Sequence, residues 1–173
     1  MDKIVFKKIT PEEVKNFFKF FEYSIHSQFP EYSVKTRKKF TRTDYALEKL
    51  EKGLANKELA VYAAFNGNDC VGYLMASAWC GGICFINWMA VAKKFQGKGI
   101  ASKLLQMCEK EAKLKGFHKF HLWTDGRNLK FYKSKGFKLI GKIPESDYGA
   151  DNYLFYKTIQ KPSERNFLKS TKI

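Results

Sequence analysis

A run of 23 residues without a charged side chain, residues 70–92, constrains the fold more than any other feature of this sequence. A helix of that length would be long enough to cross a bilayer at about 1.5 Å per residue. However, Gly81 and Gly82 lie in the middle of the run, and aromatic and β-branched residues recur on either side of them. Two strands joined by a tight glycine turn account for this pattern. We therefore expect a fully buried central hairpin and no membrane-spanning segment.

Shorter patterns predict the first part of the chain. Thr10, Pro11 and Glu13 form a capping box with proline at the first helical position, so an amphipathic helix starts there and ends at Pro30. Five cations among residues 35–42 predict an exposed loop.

The complete pattern predicts the element order β-α-α-β-β-β-α-β-α-β-β, without a repeat or a linker. This order is typical of one mixed α/β domain, which we place at residues 1–160. A tail, residues 161–173, follows it with no assigned role. The strands are predicted at 3–9, 58–66, 70–79, 83–91, 117–124, 137–142 and 153–159, and the helices at 10–29, 43–56, 97–115 and 125–135.

The charge of the chain is strongly positive. There are 32 Lys and Arg residues against 17 Asp and Glu, a formal net charge of +15, but only 4 of the cations are Arg. Specific readout of bases and phosphates favours the bidentate arginine fork. The lysine excess therefore favours a diffuse field that attracts a small anionic ligand over dedicated nucleic-acid binding.

The cysteines and histidines show no metal or nucleophile constellation. Four cysteines are too few and too irregularly spaced for a disulfide framework, and no second Cys or His pair completes a zinc site with Cys80 and Cys84. The three histidines have no acidic or cysteine partner at ligand spacing. These spacings lead us to expect no metal. Because the first ten residues contain no apolar segment of the kind found in signal peptides, we expect a cytoplasmic protein.

Residues 85–105 carry the chemistry: a buried strand, a glycine-bearing turn and an amphipathic helix. Such a turn presents unpaired backbone N–H groups and the positive end of a helix at one point. Gly97 and Gly99 leave room for a phosphate, and Lys93, Lys94 and Lys98 add positive charge. The segment predicts an anion site, but it matches neither a Walker A loop nor a dinucleotide-binding glycine turn.

The same segment resembles the acetyl-CoA-binding motif of the GNAT-type N-acetyltransferases, Gln/Arg-x-x-Gly-x-Gly/Ala, which Gln96, Gly99 and Ala101 fill. Asn128 and the sequence FYKSKGFKLIG at 131–141 resemble the second signature of that family. The resemblance covers the chain to about Ile159. It implies a largely antiparallel central sheet flanked by helices on both faces, and direct transfer of an acetyl group from acetyl-CoA to a primary amine in a ternary complex.

The resemblance also implies roles for individual residues. The backbone of Met89, Ala90 and Val91 would bind the pantetheine arm. Asn128 and Tyr132 would lie near the thioester sulfur, with Tyr132 as the general acid, and Lys130 or Lys133 would meet the 3′-phosphate. The N–H groups that would bind the pyrophosphate are those of Gly97, Lys98, Gly99, Ile100, Ala101 and Ser102.

The base and the acceptor follow less directly. Many family members place a glutamate on the strand before the glycine turn, whereas this chain has Asn87 there. A water relayed by backbone carbonyls is the first alternative, and Asp151 or Glu22 the second. The acceptor groove would be lined by the first two helices and by a loop at 143–153, where Asp147, Tyr148 and Asp151 would orient a cationic amine.

That loop favours a small amine or a polyamine, whereas the net charge favours an acidic protein or a ribosome-associated substrate. Two other classes of function stay open at this point. One is a non-catalytic acyl-CoA-binding regulatory module. The other is a basic protein associated with nucleic acid or the ribosome through residues 35–42. A homodimer is compatible with either the enzyme or the module.

Overall fold

The uncharged run forms two adjacent strands of a seven-stranded sheet in the computed structural model, which describes residues 3–168 and 173. The strand order is β1-β2-β3-β4-β5-β7-β6, and only the pairing of β4 with β5 is parallel. The strands are β1 (Ile4–Lys8), β2 (Leu59–Asn66), β3 (Asp69–Ala78), β4 (Ile83–Val91), β5 (Lys119–Thr124), β6 (Lys138–Asp147) and β7 (Ala150–Thr158).

Helices cover both faces of the sheet, as predicted. On one face, buried residues of the first and third helices pack against side chains of β2 and β3 such as Tyr73. On the other face, the fourth and fifth helices pack against the alternate side chains of the same strands. The helices are α1 (Val14–Gln28), α2 (Val34–Lys39), α3 (Leu47–Ala55), α4 (Ile100–Leu114), α5 (Leu129–Ser134) and α6 (Glu164–Phe167).

Two local predictions are confirmed at residue level. The capping box is present, because the Thr10 side chain accepts from the N–H of Glu13 and the Glu13 carboxylate accepts from the N–H of Thr10. The glycine turn between β3 and β4 contains Gly81 and Gly82, both at positive φ. These features depend on a few neighbouring residues, which is why the sequence predicts them.

A bulge in β4 separates it from β5. Met75 pairs with Trp88 and Ala76 pairs with Ile86, so Asn87 is an extra residue on β4. The parallel pairing of β4 with β5 ends at Ile86, and Asn87–Val91 has no partner on β5 in the described part of the chain. A bulge bends the strand that carries it and disrupts the local ladder. The two strands therefore part in the middle of the sheet and leave a cleft between them.

Three predictions about this framework were wrong. Residues 35–42 are not an exposed loop, because Ser33 caps α2 and the chain continues in a π-helical turn (Phe40–Asp44) whose Phe40 is 4% exposed. The central hairpin is not fully buried, because alternate residues of β4 are only half-buried. Residues 143–153 are not a loop, because β6 and β7 extend to a turn at Tyr148 and Gly149.

The physical reason differs in each case. Burial of the aromatic ring of Phe40 stabilises this conformation more than the five neighbouring cations destabilise it, because cationic side chains can extend their charged ends into water. One face of β4 lines a cavity, which limits its burial. The β6–β7 ladder continues through irregular pairings between Ile143 and Asp147, which sequence periodicity does not show.

The described part of the tail lies against the domain. The segment at Asn166 is so close to Gly116 that a Cβ on this glycine would lie 2.9 Å from the Cβ of Asn166. Ile173 is fully buried and donates its N–H to the carbonyl of Lys57. Within residues 3–168 and 173, no helix has the length and apolar character needed to cross a membrane.

We expect truncation of Leu104, which is fully buried between α4 and the sheet, to destabilise the protein. Leu104→Ala should lower the free energy of unfolding by about 2–5 kcal/mol, because it removes buried methyl groups and leaves a cavity. The measurement is urea unfolding followed by circular dichroism. Leu114→Ala on the same helix is the control, because Leu114 is 81% exposed and should change stability by less than about 0.5 kcal/mol. Equal losses in the two variants would contradict this packing.

Candidate functional site

The turn before α4 is defined by two glycines with positive φ and by a hydrogen bond to the end of β4. Gly97 and Gly99 have φ values of 75° and 79°, and Gly99 is the N-cap residue of the helix. Nothing lies within 4 Å of an ideal Cβ built on either glycine, so both face open space. The Gln96 side chain donates to the carbonyl of Val91 at 2.9 Å and fixes the turn to the end of β4. The first N–H groups of α4 therefore point into the cleft from a fixed position.

The glycine-turn cavity, of about 580 Å³, lies where β4 and β5 part. It combines extended backbone from the end of β4, the glycine turn, and cations from the β5–α5 region. Its lining residues are Gln28, Phe29, Met89, Ala90, Val91, Phe95, Gln96, Gly97, Gly99, Ile100, Ala101, Ser102, Asp125, Arg127, Asn128, Phe131 and Lys135. Unpaired strand backbone, a helix N-terminus and two cations together fit a long ligand that carries phosphate groups.

The hairpin cavity, of about 410 Å³, lies on the other side of the parting strands, next to the β6–β7 hairpin. Aromatic and acidic side chains form most of its walls. Its lining residues are Phe29, Glu31, Tyr32, Tyr45, Ser77, Ala78, Trp79, Phe85, Ile86, Asn87, Trp88, Met89, Trp123, Thr124, Asp125, Asn128, Tyr132, Asp147, Asp151 and Asn152. The two cavities share Phe29, Met89, Asp125 and Asn128, so they meet at these residues.

Tyr132 lies on α5, about one helical turn after Asn128 of this junction. It is 6% exposed, packs against Phe131, Phe137 and Phe155, and lines the hairpin cavity. Burial, with a smaller contribution from the negative charge of Asp125, raises the pKa of its phenol above the usual value. The phenol is therefore protonated at neutral pH and is a proton donor.

Arg127 connects the two sides of the cleft. Its guanidinium contacts the carboxylates of Glu31 at 2.7 Å and Asp125 at 2.6 Å. Glu31 follows α1, whereas Asp125 follows β5, so this pair of contacts ties segments 94 residues apart in the chain. Burial raises the pKa of Glu31, and the charge of Arg127 opposes this effect.

The structure brings most of the predicted site residues to one of the two cavities. Of the residues predicted to bind the cofactor, those from Met89 to Asn128 line the glycine-turn cavity except Lys98, whose ammonium lies 5.1 Å from the ring centroid of Phe95. Lys135, which directly follows α5, lines that cavity, whereas the predicted Lys130 and Lys133 do not. Asp147 and Asp151 line the hairpin cavity, whereas Tyr148 packs outside it on Tyr32 and Phe40.

Of the two carboxylates predicted as candidate bases, one lines a cavity and the other does not. Asp151 lines the hairpin cavity, but Glu22 is an exposed residue of α1 that lines neither cavity. Residues from the connections that follow α1 and the π-helical turn, namely Phe29, Glu31, Tyr32 and Tyr45, replace the helices expected to line the acceptor groove.

Sequence reasoning missed Asp125, Arg127, Phe29 and Glu31. Asp125 and Arg127 immediately precede Asn128 in the segment DGRN, so the polar cluster after β5 was a usable signal. Phe29 and Glu31 flank Pro30 and give no local sign of a site. In the described residues, no group of three or more His, Cys, Asp or Glu side chains is arranged to hold a metal ion.

Comparison with known proteins confirms the resemblance noted in the sequence. Residues 21–137 match the family model described as "Acetyltransferase (GNAT) family". No curated protein sequence matches the chain significantly. The solved structures described below are similar at less than 25% identity, so their likeness concerns the fold.

Three of these structures show its extent. PaiA N-acetyltransferase from Thermoplasma acidophilum, in complex with coenzyme A, is 20% identical with a TM-score of 0.76, covering 90% of this chain and 99% of that one. A GNAT-family acetyltransferase from Streptococcus pneumoniae is 18% identical with a TM-score of 0.73, covering 90% and 99%. Ribosomal-protein-alanine N-acetyltransferase from Brucella melitensis is 16% identical with a TM-score of 0.70, covering 89% and 99%.

We expect Arg127→Met to loosen the segment that follows α1 without unfolding the domain. The Arg127 side chain is 52% exposed, so its ion pairs should contribute less than about 1 kcal/mol to global stability. The amides of Phe29, Glu31 and Tyr32 should lose protection in native-state hydrogen exchange, because their link to the β5–α5 turn is lost. Arg42→Met, the same change at an exposed arginine that lines neither cavity, is the control. Unchanged protection in both variants would show that the Arg127 contacts do not hold this segment.

Proposed function

Because the chain belongs to the GNAT acetyltransferase family, we propose that it transfers the acetyl group of acetyl-CoA to a primary amine. The observation that carries this proposal is the junction of the two cavities. A glycine turn and cations suited to phosphates lie on one side, and an aromatic, acidic cavity suited to an amine lies on the other. A buried phenol, that of Tyr132, borders the point where they meet.

Several residues would hold acetyl-CoA. The unpaired backbone at Met89–Val91 would extend along the pantetheine arm, in the manner of strand addition. The N–H groups at the start of α4 would bind the pyrophosphate. Arg127 and Lys135 add positive charge on the same cavity. When bound, acetyl-CoA supplies the acetyl group as a thioester.

The protein has two tasks in the transfer. It must favour the neutral form of the amine, because a lysine-type amine with a pKa near 10.4 is neutral in only about one molecule per thousand at pH 7. Water that passes the proton to carboxylates of the hairpin cavity serves this task, and Asp125 lies at the junction itself. It must also protonate the departing sulfur, and Tyr132 donates that proton. The cytoplasmic location remains a prediction from the sequence.

We expect Gly99→Ala to weaken coenzyme A binding by about tenfold, which corresponds to about 1.4 kcal/mol. An alanine avoids the positive φ that this position requires, so the first N–H groups of α4 should shift. The measurement is isothermal titration calorimetry with coenzyme A. Gly67→Ala is the matched control, since Gly67 also has a positive φ and open space but lies in the β2–β3 turn. Wild-type affinity in the Gly99 variant would refute the phosphate-binding role of this turn.

We expect Tyr132→Phe to lower kcat by about 10²–10⁴-fold, as for other general acids, with little effect on coenzyme A affinity. Because burial raises the pKa of Tyr132, the wild-type rate should increase with pH as the amine loses its proton, without a decline below about pH 10. The assay is release of the free thiol from acetyl-CoA across a pH series. Tyr73→Phe, which removes a buried hydroxyl outside both cavities, is the control. A Tyr132 variant with full turnover would leave the chemical step to other groups.

A further inference from the structure

The charge of the hairpin cavity is opposite to that of the whole chain. Four carboxylates line it, those of Glu31, Asp125, Asp147 and Asp151, and its described lining contains no Lys, Arg or His. The chain nevertheless carries a net charge of +15. Such segregation places a negative field in the cavity that the proposed function assigns to the amine.

Nearby cations compensate only part of this negative charge. Arg127 contacts both Glu31 and Asp125, and Lys142 pairs with Asp151. Asp147 accepts a hydrogen bond from the Tyr32 hydroxyl at 3.4 Å and has no ion pair among the described residues. The ammonium of Lys39 reaches the neighbouring Tyr148 but is paired with Asp44. Two cations, Arg127 and Lys142, therefore oppose four carboxylates, and the cavity keeps a net negative charge.

Two amides give an independent sign of a ligand. Asn152 lines the hairpin cavity and is 6% exposed, and its Nδ2 has no hydrogen-bond partner. Asn87 lines the same cavity, and its buried Oδ1 also has no partner. A buried polar atom without a partner is costly, by about 1–3 kcal/mol. A bound molecule with N–H groups would satisfy Asn87 directly, and Asn152 after a half-turn of its amide.

The walls of the cavity suit an organic cation with an apolar body. Trp88 is at the centre of an aromatic cluster and packs edge-on against Phe29, Tyr45 and Tyr32. All four of these residues line the cavity. Aromatic faces attract alkylammonium groups, and their area excludes water from an alkyl chain.

The fold also spaces two anionic positions along the cavity. Thr124 pairs with Tyr153, so Asp125, at the junction, is level with Asn152. Asp147 pairs with Ala150, which lies two residues before Asn152 on β7. Because β7 lies between β5 and β6, the two positions are on opposite sides of β7, roughly 12 Å apart at a strand spacing of about 4.8 Å and a rise of about 3.3 Å per residue. Both carboxylates line the cavity, so an alkyl chain with a nitrogen at each end can contact both across it, whereas a monoamine contacts one of them.

We infer that the acceptor is a small alkyl diamine or a longer polyamine, with one nitrogen at the junction and a second, charged nitrogen at Asp147. This inference rests on the proposed function and names the substrate class of the same site. The ammonium at the junction gives one proton to water and attacks as the neutral amine, while the charged nitrogen holds the chain in place. One N–C bond forms, one S–C bond breaks, and the sulfur takes a proton from Tyr132. The attacking nitrogen loses a second proton as the amide forms, and this proton passes through water to restore the phenol of Tyr132.

The test compares α,ω-diaminobutane with butylamine, which has the same carbon chain and a single amine, and with a peptide that has a free N-terminus. We expect kcat/KM for the diamine to exceed that for butylamine at least tenfold. Asp147→Asn should bring this ratio close to one, while its amide can still accept from Tyr32. Glu145→Gln, the same change two residues away on an exposed side chain that lines neither cavity, should leave the ratio unchanged.

The outcomes separate this inference from the proposed function. Equal acetylation of butylamine and the diamine, or a preference for the peptide, would overturn the inference and leave the proposed function standing. Calorimetric titration of the diamine into the wild-type protein reports the inference without any turnover. If the wild-type protein binds the diamine and Asp147→Asn weakens this binding about tenfold, the diamine site is supported even without acetyl transfer. The absence of acetyl transfer would by itself contradict the proposed function.

Discussion

The parting of β4 and β5 is the constraint on which the rest of this structure depends. Backbone hydrogen bonding holds the two strands together only up to Ile86, and the extra residue at Asn87 ends that pairing. Unpaired backbone in the middle of a sheet is costly unless a ligand or water satisfies it. The sheet accepts this cost at one place, and both cavities open there. A continuous ladder would leave the same helices packed and no site between them.

The position of α4 depends on the same strands. Gly72 on β3 allows the start of α4 to lie close to the sheet. A Cβ on Gly72 would lie 3.0 Å from a methyl group of Ile100 and 3.3 Å from one of Val91. The absence of a side chain at Gly72 therefore sets how near the start of the helix comes to the end of β4. Packing on one face of the sheet thus fixes the geometry of the glycine turn.

The sequence predicts those parts of the fold and site that few neighbouring residues determine. The capping box at Thr10 and the glycine turn at Gly97 and Gly99 are of this kind, and the structure contains both. The contact of Arg127 with Glu31 joins residues 96 apart, and no local pattern signals it. The conformation of residues 35–42 was predicted wrongly because burial of Phe40, a tertiary effect, outweighs a local excess of cations.

The uncompensated carboxylates of the hairpin cavity have a consequence for turnover. Acetylation converts an ammonium ion into a neutral amide, so it removes one of the charges that this cavity attracts. In the proposed reaction the product is therefore held less strongly than the substrate at the junction, where Asp125 lies, while the charged nitrogen at Asp147 is unchanged. Slow product release limits the rate of many enzymes. The net negative charge of this cavity favours departure of the acetylated molecule without a separate opening motion.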